Sequence, residues 1–311
     1  MRVTQGKTAF ITGGASGIGL GMAHSFLRAG MRVVIADVRA EALESATAIL
    51  AAGDRLHTLE LDVTDRAAMA AAAVTAENVF GPVHVLCNNA GVGMLGGIKS
   101  MTYDDWDWCL AVNLGGAVNG LQTFLPRMLA HGQGGHIVNT SSIGAISPGP
   151  GGIAYLTAKA ALVTLSESLR MELQEEGIGV TVLVPGPTRT RINEVGSLRP
   201  ARFQNTGLRE VEAQLARTPL FENGLDPLEV GGMVLDAVRR DLMFVFTHND
   251  FKAGVAQRFE AILAAFPGGP VDPERGRRFG FPLVNPLYAE LLRRGEPPAA
   301  ARPEQDPELN S

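Results

Sequence analysis

The segment Thr12-Gly13-Gly14-Ala15-Ser16-Gly17-Ile18-Gly19 constrains the fold more than any other stretch of the chain. It follows a short apolar run, Lys7 to Ile11, and precedes Leu20, Ala23, Phe26 and Leu27 at helical spacing. Strand, glycine loop and helix in that order open a dinucleotide-binding unit. Glycines let the backbone approach a pyrophosphate, and the free N–H groups at the helix start present donors and the positive end of the helix dipole. Gly13, Ser16, Gly17, Ile18 and Gly19 are the candidate contacts. The spacing is G-x-x-x-G-x-G rather than the general G-x-G-x-x-G, and a merely tight strand-to-helix turn would also use such residues.

The flanking sequence narrows the choice. Arg32 to Ala36 reads as a second buried strand and ends in Asp37, 18 positions beyond Gly19. A carboxylate there accepts hydrogen bonds from the adenosine ribose and repels a 2'-phosphate, which favours NAD over NADP. Asp37 equally fits a cap for the helix expected from Arg39 to Leu50. Arg39 is a counter-signal, since a cation meets a phosphate, but the glycine loop itself carries no Arg or Lys. Leu56 to Leu61 reads as a third strand, with Asp62 and Val63 after it and an Ala-rich helix from Asp65 to Val79. Asp62 fits either a cap of that helix or an adenine contact. Val83 to Cys87 is a fourth strand running into Asn88-Asn89-Ala90-Gly91, a turn placed where ligands bind in such sheets.

A long helical pattern then runs from Thr102 to the glycine break at Gly132, with Pro126 as a kink. Asn113 falls inside it, where its side chain competes for backbone groups unless it faces solvent. His136 to Thr140 is a fifth strand with Ser141 and Ser142 at its carboxyl end, and the helix carrying Tyr155 runs to about Glu176. Ile178 to Val184 is a sixth strand, followed by the rigid turn Pro185-Gly186-Pro187-Thr188-Arg189-Thr190. Residues 191–224 show no clear period and read as a lid or a surface insertion. A helix from Pro227 to Val238 and a seventh strand from Leu242 to Phe246 complete the alternation. Half of the chain's 18 prolines lie from Pro267 onward, which predicts an extended arm with a short helix near Tyr288 to Arg294 and a disordered acidic tail. The expected organisation is one α/β domain over residues 1–266, with a lid at about 191–225, and a Pro-rich arm over 267–311.

Composition limits the function classes. With 311 residues, 46% of them hydrophobic, and 37 Gly, the chain is that of a globular α/β protein. A net charge of -5 offers no basic footprint for nucleic acid or an anionic membrane. No apolar run approaches 18 residues and the N-terminus does not read as a signal peptide. Cys87 and Cys109 are isolated in apolar contexts, so reduced thiols, no metal site and a cytoplasmic location are expected.

Tyr155 and Lys159 stand four apart, on one helix face. A free phenol titrates near pH 10, and poising it near neutrality takes about 4 kcal/mol. An ammonium about 4 Å away supplies on the order of 4 kcal/mol at an effective dielectric of 20. The pair therefore fits an acid/base, although Tyr and Lys fall at this spacing on many helices by chance.

Taken together and in order, Thr12 to Gly19, Asn88 to Gly91, Asn113, Ser142, Tyr155 with Lys159, and Pro185 to Thr190 resemble the short-chain dehydrogenase/reductase family over residues 5–250. The resemblance implies a Rossmann-like, doubly wound sheet of seven parallel strands with NAD across their carboxyl ends. It implies that Tyr155 is the acid/base, that Lys159 lowers its pKa and binds the nicotinamide ribose, that Ser142 holds the substrate oxygen, and that Asn113 bends its helix to hold a relay water. Asn89, Ala90 and Gly91 would line the cofactor, and Pro185, Gly186, Thr188 and Thr190 would hold its amide. A homo-oligomer, dimer or tetramer, is also implied.

Within the superfamily, enoyl reductases place the Lys further from the Tyr and epimerase-like relatives carry a G-x-x-G-x-x-G loop, and neither pattern is present. Asp37 speaks against the NADP preference usual in a 3-oxoacyl reductase. More finely, Ala36 to Ala42, Thr102 to Asp105, Ser197 to Ala201 and the long arm are similar to the bacterial Cα-dehydrogenases, which oxidise benzylic alcohols of lignin-type β-aryl ethers with NAD. Phe203 and Phe221 in the lid fit a bulky aromatic substrate, or ordinary packing. The expected function is hydride transfer between NAD and a secondary alcohol or ketone. The alternatives are an alicyclic, steroid-like or 3-oxoacyl substrate and, from another class, a non-catalytic NAD-binding regulator.

Overall fold

The structure is a computed structural model that describes residues 4–218, 221–270, 272–279 and 284–294. Strands and helices alternate from the start: β1 (Thr8–Thr12), α1 (Gly17–Arg28), β2 (Arg32–Asp37), α2 (Ala40–Leu50), β3 (Leu56–Glu60), α3 (Arg66–Phe80) and β4 (Val83–Asn88). There follow α4 (Tyr103–Leu110), a π turn (Ala111–Gly115), α5 (Gly116–His131), β5 (Gly135–Thr140), the short α6 (Ile143–Ile146), α7 (Ile153–Glu172) and β6 (Ile178–Val184). Two 3-10 segments (Ile192–Leu198, Ala201–Phe203), α8 (Arg209–Leu215), α9 (Pro227–Arg240) and β7 (Phe244–Phe246) complete the unit that ends at Thr247.

Among the described residues the strands form one parallel sheet in the order β3-β2-β1-β4-β5-β6-β7. Every residue of β1, β4 and β5 is buried, as parallel strands covered on both faces must be. Alternate residues feed two cores. Ala9, Ile11, Val33 and Ile35 meet Met22 and Phe26 of α1, Leu43 of α2 and Val234 of α9. Phe10, Val34, Leu86 and Ile137 meet Met69 of α3, Phe124 and Met128 of α5, and Leu169 of α7. The chain reverses its direction of winding between β3 and β4, so the loops after β1 and β4 diverge and leave a crevice at the carboxyl edge.

The structure departs from the sequence expectation in several places. The single helix expected from Thr102 is interrupted at the π turn, where Asn113 Nδ2 donates to the Cys109 carbonyl four residues back at 3.0 Å and to Val92 O at 3.0 Å. A side chain that takes an i-4 acceptor loosens the ladder at that turn. Pro126 lies inside α5 without ending it. Helix α7 stops at Glu172, earlier than expected, and turns lead to Gly177, whose φ is 66°. The stretch 191–224 carries the two 3-10 segments and α8 despite its lack of period.

Residues His248–Pro297 form a second unit. Its described part holds α10 (Lys252–Ala264), α11 (Pro273–Phe279) and α12 (Pro286–Arg294). Helix α10 was not expected, although Val255, Phe259, Ile262 and Phe266 recur at helical spacing. The acidic tail expected after Arg294 lies outside the described residues.

Candidate active site

The loop between β1 and α1 is built to lie close to a ligand. A Cβ on Gly19 would overlap the Gly13 carbonyl and come within 2.6 Å of Asn89 Nδ2, and one on Gly13 would sit 2.8 Å from Ala90 Cα. Asn89 donates to the carbonyls of Thr12 and Gly13 at 3.1 and 3.2 Å, while Thr12 Oγ1 accepts from the N–H groups of Asn89 and Ala90. The turn after β4 thus holds the glycine turn in place. Ser16, the N-cap residue of α1, makes no side-chain capping bond, which leaves donors of the first turn open. A dinucleotide phosphate meets that requirement, and the loop has no room for side chains that would keep it away.

Gly13, Ser16, Gly17, Ile18, Asp37, Asp62, Val63, Asn89, Ala90, Gly91, Tyr155, Lys159, Pro185 and Thr190 line one cleft of about 290 Å³. Gly19, Gly186, Thr188, Asn113 and Ser142 are not on its wall. Gly19 packs under the loop, Thr188 Oγ1 donates to the Gly186 carbonyl, and Gly186 N–H donates to Thr247 Oγ1. Asp37 is paired with Arg39: Nε lies 3.0 Å from Oδ1 and Nη2 lies 3.2 Å from Oδ2. The same guanidinium donates to Ser16 Oγ at 2.8 Å and so bridges the loops after β1 and β2. Asp62 is not the cap of α3. That role belongs to Asp65, which accepts from Ala68 N, while Asp62 Oδ1 accepts from Thr64 N and Oγ1 at 2.8 Å each.

The Tyr155–Lys159 pair sits at the other end. The Ser142 side chain stands beside the Tyr155 phenol and opposes the effect of burial on it, while Ser142 Oγ accepts from Gly144 N at 3.2 Å. Lys159 is 3% exposed, and its Nζ lies 5.7 Å from the Tyr155 ring centroid and donates to the Thr140 carbonyl at 2.8 Å. Burial pushes the phenol up to about 12, against the opposing effect of Ser142. Burial also lowers the Lys159 ammonium to about 8, with the Cys109 thiol opposing. The expectation that Lys159 depresses the phenol is therefore not met in the protein alone. Tyr155 is half-buried on the cleft wall, whereas Lys159 is taken out of water with its ammonium directed at a carbonyl. Asn113 Oδ1 accepts from Val92 N at 3.3 Å, and a Cβ on Gly91 would lie 2.8 Å from Asn113 Oδ1 and 3.3 Å from Lys159 Nζ, so the two side chains converge behind Gly91.

Residues 7–198 match the family described as short chain dehydrogenase. The chain belongs to that family. It is therefore an oxidoreductase, and the seven-stranded sheet is the Rossmann-like sheet expected. A C alpha-dehydrogenase of Sphingobium sp. (strain NBRC 103272 / SYK-6) is 40% identical over 281 residues, which cover 89% of this chain and 92% of that protein. A short chain dehydrogenase/reductase from Burkholderia phymatum, solved in complex with NAD, superposes with a TM-score of 0.80 at 33% identity, covering 88% of this chain and all of the other. The apo form of LigO from Sphingobium sp. strain SYK-6 gives a TM-score of 0.74 at 39% identity and covers 96% of this chain. Among the described residues no helix is long and apolar enough to cross a membrane.

Several residues of the site in this short-chain dehydrogenase leave little trace in the local sequence. Ser141 Oγ donates to the Lys159 carbonyl at 2.7 Å, so consecutive residues of one strand end hold Lys159 by its side chain and its backbone. The Ser-Ser pair at the end of a buried strand was the available signal. Trp108, Ile192 and Leu198 line the cleft. So does Arg202, which donates to Thr64 Oγ1 at 2.9 Å. Nothing in local sequence pointed from 202 to 64.

Proposed function

We propose that the protein interconverts a secondary alcohol and a ketone with NAD, and that its substrate is a bulky aryl alcohol of the benzylic type. One observation carries the reading: Tyr155 and the buried Lys159 line the same cleft as the uncapped glycine turn. NAD, when bound, supplies the hydride acceptor. The residues fit it, because the glycine turn excludes Cβ atoms and leaves N–H donors open, and Asp37 Oδ2 retains a lone pair for a ribose hydroxyl beyond its bond to Arg39. Asp62, Val63, Asn89, Ala90, Gly91, Pro185 and Thr190 lie along the same groove. Gly186 and Thr188 would reach the amide only after the Thr188 hydroxyl leaves the Gly186 carbonyl.

In alcohol oxidation the substrate C–H bond would break with its electron pair passing to NAD, while the O–H proton passes to Tyr155 Oη, present as a phenolate, the phenol having first given its own proton to the Lys159 relay. Ser142 Oγ, beside that hydroxyl, holds the substrate oxygen. Lys159 steadies the phenolate by its charge and passes the proton on, with Asn113 holding the relay water behind Gly91. The name of the Sphingobium relative and the Trp108, Ile192 and Leu198 lining support the aryl substrate. We read the protein as a cytoplasmic homo-oligomer, to be measured by light scattering.

Purified protein with NAD and a panel of aryl, alicyclic, steroid-like and 3-oxoacyl-derived alcohols tests the reading through NADH absorbance. The aryl secondary alcohols are expected to turn over fastest. Tyr155→Phe is expected to keep NADH binding by fluorescence and to lose turnover by roughly two to four orders of magnitude. A protein that binds NAD equally before and after that change and oxidises nothing is a regulator, and the proposal then fails.

A further inference from the structure

The segment from Arg199 to Glu212 is anchored by a buried ion cluster. The Arg199 side chain is 2% exposed and its Nη2 lies 3.0 Å from Asp105 Oδ1 of α4 and in an ion pair with Glu212 of α8. The Asp105 carboxylate is otherwise saturated: it accepts from Thr102 N at 2.8 Å, from Thr102 Oγ1 at 3.2 Å and from Thr206 Oγ1 at 2.6 Å. The flat guanidinium lies over the Trp108 ring, with Cζ 4.5 Å from the ring centroid. Trp108 is 2% exposed, lines the cleft, and belongs to the cluster of Val92, Met94, Cys109, Ala154 and Leu208 against which Tyr155 packs. A fully buried Arg that spans three elements and covers one tryptophan is costly unless every contact is kept.

We infer that Arg199 is a positioning residue that fixes the Trp108 indole as the wall beside Tyr155 against which the aryl group of the substrate lies. The inference rests on the aryl-alcohol reading above. Asp105 and Glu212 set the plane of the guanidinium, the guanidinium sets the indole, and the indole sets how far a planar substrate stands from Tyr155. A lysine at this position keeps the charge but loses the planar fork and its stacking on the ring. Arg199→Lys therefore separates the geometric role from the mere presence of a cation.

The test compares wild type, Arg199→Lys and Trp108→Phe, each in a Trp106→Phe background so that emission reports position 108 alone. Arg199→Lys is expected to red-shift Trp108 emission, to raise its acrylamide quenching, and to raise the KM for an aryl secondary alcohol about tenfold with kcat within twofold. The KM for a small alicyclic alcohol and the dissociation constant for NADH should stay within twofold. Trp108→Phe should reproduce the aryl-selective loss. Unchanged emission, or equal losses for aryl and alicyclic alcohols, overturns the inference. If wild type oxidises no alcohol, the functional reading fails by itself. In that case the emission shift, and quenching of Trp108 by an aryl ketone that Arg199→Lys weakens, still decide the inference.

Discussion

Among the candidate catalytic residues, Lys159 is the one whose titration its surroundings change most. Its ammonium titrates at about 8 in the folded protein because burial disfavours the charge, against about 10.4 in an unfolded chain. Between those values the unfolded chain binds more protons, so this residue's contribution to stability rises with pH across the window. Below it the residue carries its full burial cost of about 3 kcal/mol. Tyr155, raised to about 12, acts in the opposite direction and only above about pH 10, where the unfolded phenol ionises first. Wild type is therefore expected to gain melting temperature relative to Lys159→Met as pH rises from 8 to 10, and a pH-independent difference would show that the ammonium is not desolvated. Asp37 gives a second test at this scale. With Asp37→Ala the Arg39 guanidinium is released beside the glycine turn and left with its Ser16 bond. One charge-assisted hydrogen bond to a 2'-phosphate is worth about 1.5 to 3 kcal/mol, so the affinity ratio of NADP to NAD should rise at least about tenfold. Fluorescence titrations check this, and Asp37→Ala combined with Arg39→Ala should cancel the gain.

At the scale of elements, β1, the glycine turn and α1 behave as one piece. Gly19→Ala places a methyl against the Gly13 carbonyl and 2.6 Å from Asn89 Nδ2, so the turn must shift away from the loop after β4. We expect a loss of about 1 to 3 kcal/mol in stability and at least a tenfold weaker NADH affinity, measured by melting and by titration. A variant with wild-type affinity would show that the turn is merely tight. This piece was legible because one local pattern contains all of its parts: an apolar run, glycines, then helical spacing. The same holds for the seven strands, where buried β-branched runs separated by turn residues placed boundaries within a residue or two at most of them. The π turn was not legible. Asn113 marked the site, but the break depends on the Val92 carbonyl, far away in sequence, accepting from the same carboxamide that takes the Cys109 carbonyl. The region after Thr190 was opaque for a related reason. Its order comes from Arg199 reaching Asp105 and from Leu208 entering a core built by other elements, neither of which leaves a period in the local sequence.

At the scale of the molecule, the cleft is closed by parts of the chain that no local motif connects. Arg202, on the 3-10 segment after β6, reaches the loop after β3, where it donates to Thr64 Oγ1 at 2.9 Å and stands 3.8 Å from Asp62 Oδ2. The strap crosses the groove between the substrate end, where Ile192 and Leu198 lie, and the Asp62 side, where the adenosine half of a dinucleotide is expected. Arg202 is largely exposed, so its pairing adds only about 0 to 1 kcal/mol to stability. The same energy has a different effect on release, because a strap that must open before a dinucleotide departs adds its contact energy to the barrier. Arg202→Ala is expected to leave the melting temperature within a degree or two and to raise the NADH dissociation rate up to about fivefold, which corresponds to about 1 kcal/mol. Where release limits turnover, kcat rises with it. Stopped-flow displacement of NADH measures the rate directly. An unchanged rate with unchanged stability would show that the segment after β6 does not open for release and that the groove empties from its Asp37 end.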